Sequence, residues 1–457
     1  MQIHNPYNDA VVQEISEHRV ADVEAAIGRA YELRTMFAQM PAYEKANILT
    51  RSAELIQERA EDLATSIVQE SGKPIRYARG EVKRCIETFT FAADVARNLN
   101  GETIQMSAAT GGVGKFGYYV REPVGVVGAI TPFNFPLNLV AHKVAPAIAV
   151  GCPILLKPSP MTPLTAIMLE EILKDAGLPD GLYTVVVGDV EVGKALTTDP
   201  RVAMITFTGS PSVGEAISKV AGLRRTTFEL GGNAATVIDE GTNITDALID
   251  RLAVGAFAYS GQVCISVQRM YIHESMYSEF RDRFVERTNN LVMGDPMDET
   301  TEIGPLINDS AGERLSAWLA SAEEQGATIS AGGQREGRMM QATVLEKVDN
   351  TMQVMCAEAF GPLVNLVPYQ DFDAVLDEVN DSEFGLQAGV YTPSLDKAMQ
   401  AIQTLNVGGV MINDVPTFRV DHMPYGGNKQ SGVGREGPRF AIEDMTTLKM
   451  VVINQSI

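Results

Sequence analysis

From residue 124 onward, short apolar runs alternate with stretches of helical periodicity. The first apolar runs are VGVVGAI, PILLK, YTVVV, AMITF and TTFE, separated by helical stretches such as TPLTAIMLEEILKDAG. The pattern resumes after Asn233 with ATVID, VQRMYIH, LVNLVPY, AGVY and VGGVMIN. Strands that alternate with helices form parallel sheets covered by helices on both faces. The sequence therefore predicts an α/β fold with two consecutive parallel-sheet units.

The segment before residue 124 has a different character. Residues 22–38, 42–69 and 75–97 have the apolar spacing of amphipathic helices. Residues 101–123 are polar, glycine-rich and β-leaning, which predicts an extended arm or hairpin. This arm and a terminal strand near 445–454 would each present an unpaired β-edge, and such edges pair readily with another chain.

Length and charge limit the possible functions. A chain of 457 residues exceeds one ordinary core, and about three domains are expected. The net charge of -21 argues against a nucleic-acid partner, because phosphate backbones are bound by concentrated basic surfaces. No apolar stretch approaches the length of a membrane span, so we expect no membrane partner either.

The four cysteines are scattered, without a CxxC pair or a secretory leader. We therefore expect neither disulfides nor structural zinc, and a cytoplasmic location. No HExxH motif or other metal-ligand cluster includes any of the five histidines, so no catalytic metal is expected.

Two segments combine residues that suit acyl transfer. Cys264 lies in GQVCISVQR, and Glu229 lies about one helix earlier in FELGGN. A thiol nucleophile and a carboxylate base belong together when an acyl group passes to sulfur and then to water. The alternative is that Cys264 is a small buried hydrophobic residue, as most intracellular cysteines are.

Three segments are candidates for phosphate binding. Gly112–Gly117 and Gly432–Gly437 match GxGxxG, but the first has no helix after it and the second has no strand before it, so we interpret neither as a nucleotide loop. In ITFTGSPSVGEAISKVA a strand leads through Gly209 and Ser210 into a helix that opens near Pro211. The free amides and positive dipole end of such a helix can bind a pyrophosphate.

Seven motifs, in order, resemble those of the aldehyde dehydrogenase superfamily. They are TPFNFPL at 131–137, LLKPS at 155–159, FTGS at 207–210, FELGGN at 228–233, GQVCISVQR at 261–269, AEAFGP at 357–362 and PYGGNKQSGVGREG at 424–437. The segment PTFRVDHMPYGG is similar to the branch of lactaldehyde, non-phosphorylating glyceraldehyde-3-phosphate, phosphonoacetaldehyde and sulfolactaldehyde dehydrogenases.

The resemblance implies a role for each matched catalytic residue. Cys264 would attack the aldehyde carbon, and Asn134 with the backbone N–H of Cys264 would hold the oxyanion. Glu229 would deprotonate the water that hydrolyses the thioester. Lys143 and Glu436 match positions that support proton transfer from this base.

The resemblance also implies a site for NAD or NADP. Lys157 would meet the adenosine ribose, Ser210 the pyrophosphate, and Glu358 and Phe360 the nicotinamide ribose and ring. Pro160 stands where many NAD-preferring members carry a glutamate that repels the 2′-phosphate of NADP, so both cofactors are expected. The predicted cofactor residues are Thr131, Pro132, Phe133, Lys157, Ser159, Gly209, Ser210, Gly214, Leu230, Glu358 and Phe360.

On the substrate side, His142 and Arg419 fall where other members of the family place apolar or aromatic tunnel walls. Arginine binds phosphate, sulfonate or carboxylate groups bidentately, which favours a small anionic aldehyde. Arg84 lies on a helix that borders the tunnel in the family and is a second candidate contact. The alternative for Arg419 is a structural pair with Asp421.

The resemblance implies a cofactor-binding domain over 1–101 and 122–230, a catalytic domain over 231–425, and an oligomerisation arm over 102–121 and 440–457. It also implies a homodimer or homotetramer. Three other functions stay open: oxidation of a neutral hydroxyaldehyde, transfer of the acyl group to coenzyme A, and a non-catalytic scaffold. The retained Glu229 disfavours the second, and intact Cys264, Glu229 and Asn134 disfavour the third.

Overall fold

The computed structural model of the chain describes residues 1–455. Its α-helices are α1 (Val20–Gln39), α2 (Ala42–Glu58), α3 (Ala60–Ser71), α4 (Ile75–Asn98), α5 (Asn138–Val150), α6 (Leu164–Asp175), α7 (Val190–Thr198), α8 (Pro211–Ala221), α9 (Asp246–Phe257), α10 (Glu274–Asn289), α11 (Asp309–Glu324), α12 (Gln353–Cys356), α13 (Phe372–Asn380), α14 (Leu395–Thr404) and α15 (Pro438–Asp444).

The strands are β1 (Gln2–His4), β2 (Val11–Glu14), β3 (Glu102–Ile104), β4 (Lys115–Pro123), β5 (Val126–Ile130), β6 (Ile154–Lys157), β7 (Tyr183–Val185), β8 (Val202–Thr208), β9 (Arg225–Glu229), β10 (Ala234–Ile238), β11 (Val267–His273), β12 (Thr328–Ala331), β13 (Arg335–Glu336), β14 (Met339–Met340), β15 (Thr343–Glu346), β16 (Leu363–Tyr369), β17 (Phe384–Gly385), β18 (Gln387–Tyr391), β19 (Gly409–Ile412), β20 (Asn428–Lys429), β21 (Gly432–Val433) and β22 (Thr446–Asn454).

The first five apolar runs form one sheet, with the strand order β21-β9-β8-β5-β6-β7. All neighbours in it are parallel except β21, which runs antiparallel to β9. The inner strands β5 and β6 are buried almost throughout, as expected of a parallel sheet with helices on both faces. The first predicted α/β unit is confirmed.

The second set of runs forms a seven-stranded sheet in the order β12-β15-β16-β11-β10-β18-β19. Its strands are parallel apart from the edge strand β12, which pairs antiparallel with β15. The second α/β unit is therefore also confirmed. The sequence analysis missed β12 and β15, which are short strands at one side of the sheet.

One predicted helix is two helices in the structure. The expected helix over 42–69 is interrupted at Arg59, whose φ of -104° and ψ of 20° lie outside the α-helical range. Because α2 and α3 both pack on α4 and α6, the apolar spacing continues through the break. Periodicity alone therefore could not reveal the turn at Arg59.

The arm is a three-stranded antiparallel sheet in the order β22-β4-β3. The pairing of β22 with β4 runs from Thr446↔Pro123 to Asn454↔Lys115. The expectation of unpaired edges is wrong for the edges that face each other, because β4 and β22 pair within one chain. In the described range, the outer edge of β22 has no neighbouring strand. Residues 456 and 457 of the predicted arm lie outside the described residues.

Two sequence expectations concern absent features. Over residues 1–455, no helix is both long and apolar enough to cross a membrane. The same residues contain no group of three or more His, Cys, Asp or Glu side chains arranged to hold a metal ion. The four cysteines are free thiols: Cys85 and Cys152 are buried, Cys264 is half-buried and Cys356 is exposed.

Candidate active site

Cys264 follows an unusual turn at the end of α9. Tyr259 and Ser260 have φ values of 50° and 54°, a left-handed conformation that is strained for side chains other than glycine. Two hydrogen bonds hold this turn: the Tyr259 hydroxyl donates to the Ser71 carbonyl at 2.9 Å, and the Ser260 hydroxyl donates to the Gly304 carbonyl at 2.7 Å. The strain is therefore held by the surrounding structure, and the chain beyond the turn carries Cys264 into the site.

The thiol of Cys264 lies 3.0 Å from the hydroxyl of Tyr425. Burial raises the pKa of this thiol to about 12. The Tyr425 hydrogen bond and the positive charge of Arg419 lower that pKa, whereas the charges of Glu358 and Glu229 raise it. Only the thiolate is a good nucleophile, so stabilisation of the anion is the main electrostatic task of this site.

Asn134 is tied to the loop that carries the thiol. It lies beyond β5, and its side-chain amide donates to the Gln262 carbonyl at 3.0 Å. Gln262 is fixed in turn, because its side-chain oxygen accepts from the backbone N–H of Ile307 at 2.9 Å. The Asn134 amide carries a second N–H, which can serve an oxyanion that forms beside Cys264.

Glu229 ends β9 and is buried in a cluster of charges. In the described part of the chain, neither of its carboxylate oxygens has a hydrogen-bond partner. Burial, and then the negative charge of Glu436, raise its pKa well above the ordinary value, while Arg419 and Lys143 act in the opposite direction. A Cβ atom at Gly426 would lie only 2.6 Å from this carboxylate, so a side chain there would displace it.

Glu436 has the opposite electrostatic state. Its carboxylate accepts a hydrogen bond from Lys143 at 2.8 Å and another from Arg419 at 3.1 Å. Burial raises its pKa, but Lys143, His142 and Arg419 more than offset this and hold the pKa at about 2. Two neighbouring carboxyl groups thus have widely separated pKa values, an arrangement typical of acid–base sites.

Asp421 holds the other two predicted substrate residues. It accepts from Arg84 at 2.8 and 3.1 Å and contacts His142 Nε2 at 2.8 Å. Burial raises the pKa of Asp421, but the His142 hydrogen bond and the Arg84 charge hold it far below its usual range. The alternative of a direct Arg419–Asp421 pair is wrong: Asp421 is occupied by Arg84 and His142, and Arg419 turns to Glu436.

The cluster carries an unmatched positive charge while Glu229 is protonated. Burial and the Arg419 charge lower the pKa of His142, which favours neutral imidazole. Arg419 stacks over the Tyr425 ring, its guanidinium carbon 3.7 Å from the ring centroid. The Nε–H of Arg419 is buried, and the described residues offer it no acceptor. Ion pairs in the cluster join three cations, Arg84, Lys143 and Arg419, to two anions, Asp421 and Glu436.

A cavity of about 230 Å³ lies beside the thiol. It brings together nine predicted site residues and three that were not predicted, namely Leu139, Thr208 and Gly231. Thr208 was foreseeable, since it ends the strand before the predicted pyrophosphate turn. The predicted residues that line the cavity are Pro132, Phe133, Asn134, Gly209, Ser210, Leu230, Cys264, Glu358 and Phe360.

One wall of this cavity is the start of α8. Ser210 is the N-cap of this helix and Pro211 its first residue, as the sequence predicted. Gly214 lies one turn further on, where a Cβ would come within 2.7 Å of the Leu230 side chain. The missing side chain lets the helix pack against Leu230, with its N-terminal amides at the cavity and able to bind an anion.

Glu358 and Phe360 also line this cavity. Glu358 accepts from the backbone N–H of Gly232 at 2.9 Å, and burial raises its pKa to about 7. Phe360 has a φ of 46° and meets Phe133 edge-on, with ring centroids 5.7 Å apart. A strained aromatic residue at a cavity wall fits the positioning of a planar ring.

Thr131, Lys157 and Ser159 lie at the ends of β5 and β6 and do not line this cavity. Burial lowers the pKa of Lys157, and in the range 1–455 its ammonium group has no hydrogen-bond or ion-pair partner. The Thr131 hydroxyl is also buried without a partner in that range. The Ser159 hydroxyl accepts from the Met161 N–H at 3.2 Å. Unmatched donors at these strand ends fit the polar groups of a nucleotide.

The family model described as "Aldehyde dehydrogenase family" matches residues 1–451. The chain belongs to the aldehyde dehydrogenase family. It is an NAD(P)-dependent enzyme that oxidises aldehydes, and its two sheets and small arm are the fold of this family.

Three similar proteins show where this aldehyde dehydrogenase lies in the family. A 3-sulfolactaldehyde dehydrogenase of Priestia aryabhattai is 43% identical over 99% of this chain and 95% of its own length. The crystal structure of aldehyde dehydrogenase 21 from Physcomitrella patens, in complex with the reaction product succinate, is 40% identical, with a TM-score of 0.98 over 100% of this chain and 95% of that one. Glyceraldehyde-3-phosphate dehydrogenase GapN of Methanocaldococcus jannaschii, complexed with NADP, is 37% identical, with a TM-score of 0.95 over 99% of both chains.

The two GxGxxG segments of this aldehyde dehydrogenase have other surroundings. Gly112–Gly117 runs from a 3₁₀ turn into β4, and no helix follows. Before Gly432–Gly437 lies the short strand β20, which the sequence analysis missed, and α15 begins directly after it. This second segment carries Glu436, so it contributes to the charged cluster around Arg419.

Sequence reasoning missed two residues in contact with the predicted site. Tyr425 contacts the thiol, and Asp421 was considered only as a partner of Arg419. Tyr425 lies in a recognised motif, but nothing in the pattern distinguishes a functional tyrosine from a core one. The Asp421–Arg84 pair joins residues 337 positions apart, a contact that no local pattern indicates.

Proposed function

We propose that this aldehyde dehydrogenase oxidises a small aldehyde bearing a phosphate, sulfonate or carboxylate group to the corresponding acid. The observation that carries the proposal is the buried Nε–H of Arg419, a charged donor for which the described residues offer no acceptor. An unsatisfied buried donor on a cation is costly, so an anion that arrives with the substrate would stabilise it.

The charge balance supports the same class of substrate. With Glu229 protonated, three cations face two anions in the cluster around Arg419. The named relatives point the same way: one acts on sulfolactaldehyde, one holds succinate as its product, and one is named for glyceraldehyde 3-phosphate.

We assign the chemical steps as follows. The Cys264 thiolate forms a bond to the aldehyde carbon, while the Asn134 amide and the Cys264 backbone N–H hold the oxyanion. The bound nicotinamide would accept a hydride from the former aldehyde carbon, and loss of that hydride converts the thiohemiacetal on Cys264 to a thioester. Glu229 then takes a proton from water, whose oxygen attacks the thioester, so that the acid departs and the thiol is restored. Lys143 and Glu436 serve the proton transfer from Glu229.

We assign the cofactor to the cavity beside Cys264. The α8 amides after Ser210 would hold the pyrophosphate, and Glu358 and Phe360 would hold the nicotinamide ribose and ring. The ammonium of Lys157 would bind the adenosine ribose or a 2′-phosphate. The other predicted contacts are Thr131, Pro132, Phe133, Ser159, Gly209, Gly214 and Leu230.

The same proposal covers domain organisation and assembly. Residues 1–101 and 122–230 form the cofactor domain, 231–425 the catalytic domain, and 102–121 with 440–457 the oligomerisation arm. The enzyme works as a homodimer or homotetramer in the cytoplasm. The open outer edge of β22, which carries the exposed Leu448, Met450 and Val452, supports assembly through the arm.

Replacement of Arg419 by leucine tests the substrate class. A charge-assisted contact contributes about 1.5–3 kcal/mol, so kcat/KM for a phosphate-, sulfonate- or carboxylate-bearing aldehyde should fall by about ten- to a hundredfold. For lactaldehyde, which is neutral, the loss should be small. The ratio of the two losses is decisive, because damage to folding or cofactor binding reduces both alike.

Equal losses would make Arg419 structural and favour a neutral hydroxyaldehyde as the substrate. Arg84→Leu is the matched comparison. Arg84 donates hydrogen bonds to both carboxylate oxygens of Asp421. Its side chain is 27% exposed, whereas that of Arg419 is 6% exposed. If both arginines bind the anion, each variant shows the selective loss. Acid formation without coenzyme A separates the hydrolytic from the acylating reaction.

A further inference from the structure

Tyr425 is placed to act on the catalytic sulfur. Its ring is buried, with 3% of the residue exposed, and its hydroxyl lies 3.0 Å from Sγ of Cys264. Within the described residues this is the hydroxyl's one hydrogen bond. Arg419 stacks on the ring face, its guanidinium carbon 3.7 Å from the ring centroid, and so fixes the plane of the ring.

We propose that Tyr425 is a catalytic residue whose hydroxyl donates a hydrogen bond to the sulfur of Cys264 and stabilises the thiolate. The inference rests on the proposed role of Cys264 as the nucleophile. It concerns how the nucleophile is formed, and is independent of whether the aldehyde carries an anionic group.

The direction of the hydrogen bond follows from which group keeps its proton. Burial raises the pKa of the Tyr425 hydroxyl well above its ordinary value, so the phenol stays protonated and remains a donor. The thiol is the group that must ionise for catalysis, and its proton passes to solvent water. A thiolate is acceptor-only, and hydrogen bonds to a charged partner are the stronger ones.

The charged groups around the sulfur differ in their effect on the Cys264 thiolate. Glu229 and Glu358 are carboxyl groups whose negative charge, once they ionise, opposes the thiolate, and among the described residues Arg419 is the cation that lowers the pKa of the thiol. Arg419 contacts Glu436, His142 and the Tyr425 ring, and in the described residues it has no hydrogen bond to Sγ. The hydroxyl of Tyr425 is therefore the direct polar contact to Sγ among the described residues.

Tyr425→Phe tests the proposal, since it removes the hydroxyl and keeps the ring against Arg419. Cys356 is exposed, so both proteins carry Cys356→Ser, and alkylation of Cys264 by iodoacetamide is followed by mass spectrometry from about pH 6 to about pH 10. We expect alkylation to slow by about ten- to a hundredfold at every pH in this range, which corresponds to a thiol pKa that is higher by about one to two units.

Two outcomes overturn the proposal. An unchanged pH profile means that the hydroxyl contributes nothing to the thiolate, and a lower thiol pKa in the variant means that the thiol is the donor. Tyr369→Phe is the matched control, because that hydroxyl is also buried but bonds to Asp239, at 3.2 Å, outside the site. Alkylation requires no aldehyde, so its result is independent of the Arg419 test, and full turnover by Cys264→Ala would refute the nucleophile assignment separately.

Discussion

At the scale of single residues, the site depends on two carboxyl groups in opposite states. Glu229 has no hydrogen-bond partner in the described range and a raised pKa, whereas Glu436 is bound by Lys143 and Arg419 and has a pKa of about 2. A base must be able to hold a proton, and a supporting anion must not take one. The geometry therefore fits the two different roles that are proposed for these residues.

The first prediction concerns Glu229→Gln. Because hydride transfer precedes the water step, this variant should keep a rapid burst of NAD(P)H and lose steady-state turnover by about a hundredfold or more. Rapid mixing with the aldehyde separates the two phases, and Cys264→Ala, which should lose both, is the control. Equal loss of burst and turnover in a folded Glu229 variant would contradict the assignment.

The same residue predicts a pH dependence. The carboxylate is the active form, and its pKa is raised, so thioester hydrolysis should increase as pH rises through a midpoint above the ordinary range of a glutamate. The effect on stability has the opposite sign. Because the pKa of Glu229 is raised in the folded state, this group stabilises the fold at low pH, and its contribution to the free energy of unfolding is lost as pH rises. A hydrolysis rate that is flat from about pH 5 to about pH 9 would count against Glu229 as the base.

How far the site could be read from the sequence differs residue by residue. Cys264, Asn134 and Glu358 lie in contiguous motifs, and the structure brings all three to one cavity. Tyr425 could not be assigned, because its function depends on contact with a thiol 161 positions away. The alternative of an Arg419–Asp421 pair was wrong for a similar reason, since Asp421 is near in sequence but is bound by Arg84 and His142, which are distant in sequence.

At the scale of secondary-structure elements, strand ends determine where chemistry occurs. Parallel strands bring their carboxyl ends to one edge of the sheet, where β5, β8 and β9 lead to the residues of the cavity. The strands could be predicted from the sequence because their residues form short, continuous apolar runs. The break between α2 and α3 was not readable, because Arg59 carries no helix-breaking signal such as proline or glycine.

The second prediction concerns the loop after β6. Pro160 is exposed and has no carboxylate, and the Lys157 ammonium is unpaired in the described range. Kinetics with both cofactors should therefore show kcat/KM for NADP within about tenfold of that for NAD. Lys157→Met should reduce the use of NADP more than that of NAD. A preference for NAD by several orders of magnitude would refute the hypothesis that Pro160 permits the use of NADP.

The third prediction concerns the arm. Leu448 and Val452 are 58% and 48% exposed on an edge strand, a surface that another copy of the chain would cover. Light scattering at micromolar concentration should give a dimer or tetramer, and Leu448→Lys with Val452→Lys should shift the protein towards smaller species. Lys449→Glu, on the alternate face of the same strand, is the comparison. A monomeric mass for the unaltered protein would exclude the assembly.

At the scale of the whole molecule, a buried cluster with excess positive charge lies within a protein of net charge -21. The two fields differ in range. Charges of the surface act over about 30 Å at 0.01 M salt but only about 8 Å at 0.15 M, whereas a buried contact to Arg419 is screened much less. Added salt should therefore weaken the repulsion of an anionic aldehyde more than it weakens its binding.

The fourth prediction follows from that difference. Between about 0.01 M and 0.15 M sodium chloride, kcat/KM for an anionic aldehyde at saturating cofactor should rise by about two- to tenfold, because the long-range field slows its approach. Lactaldehyde measured under the same conditions is the control and should show little change, since it carries no charge. A fall in kcat/KM with salt for the anionic aldehyde would mean that the positive cluster, and not the net charge, governs its entry.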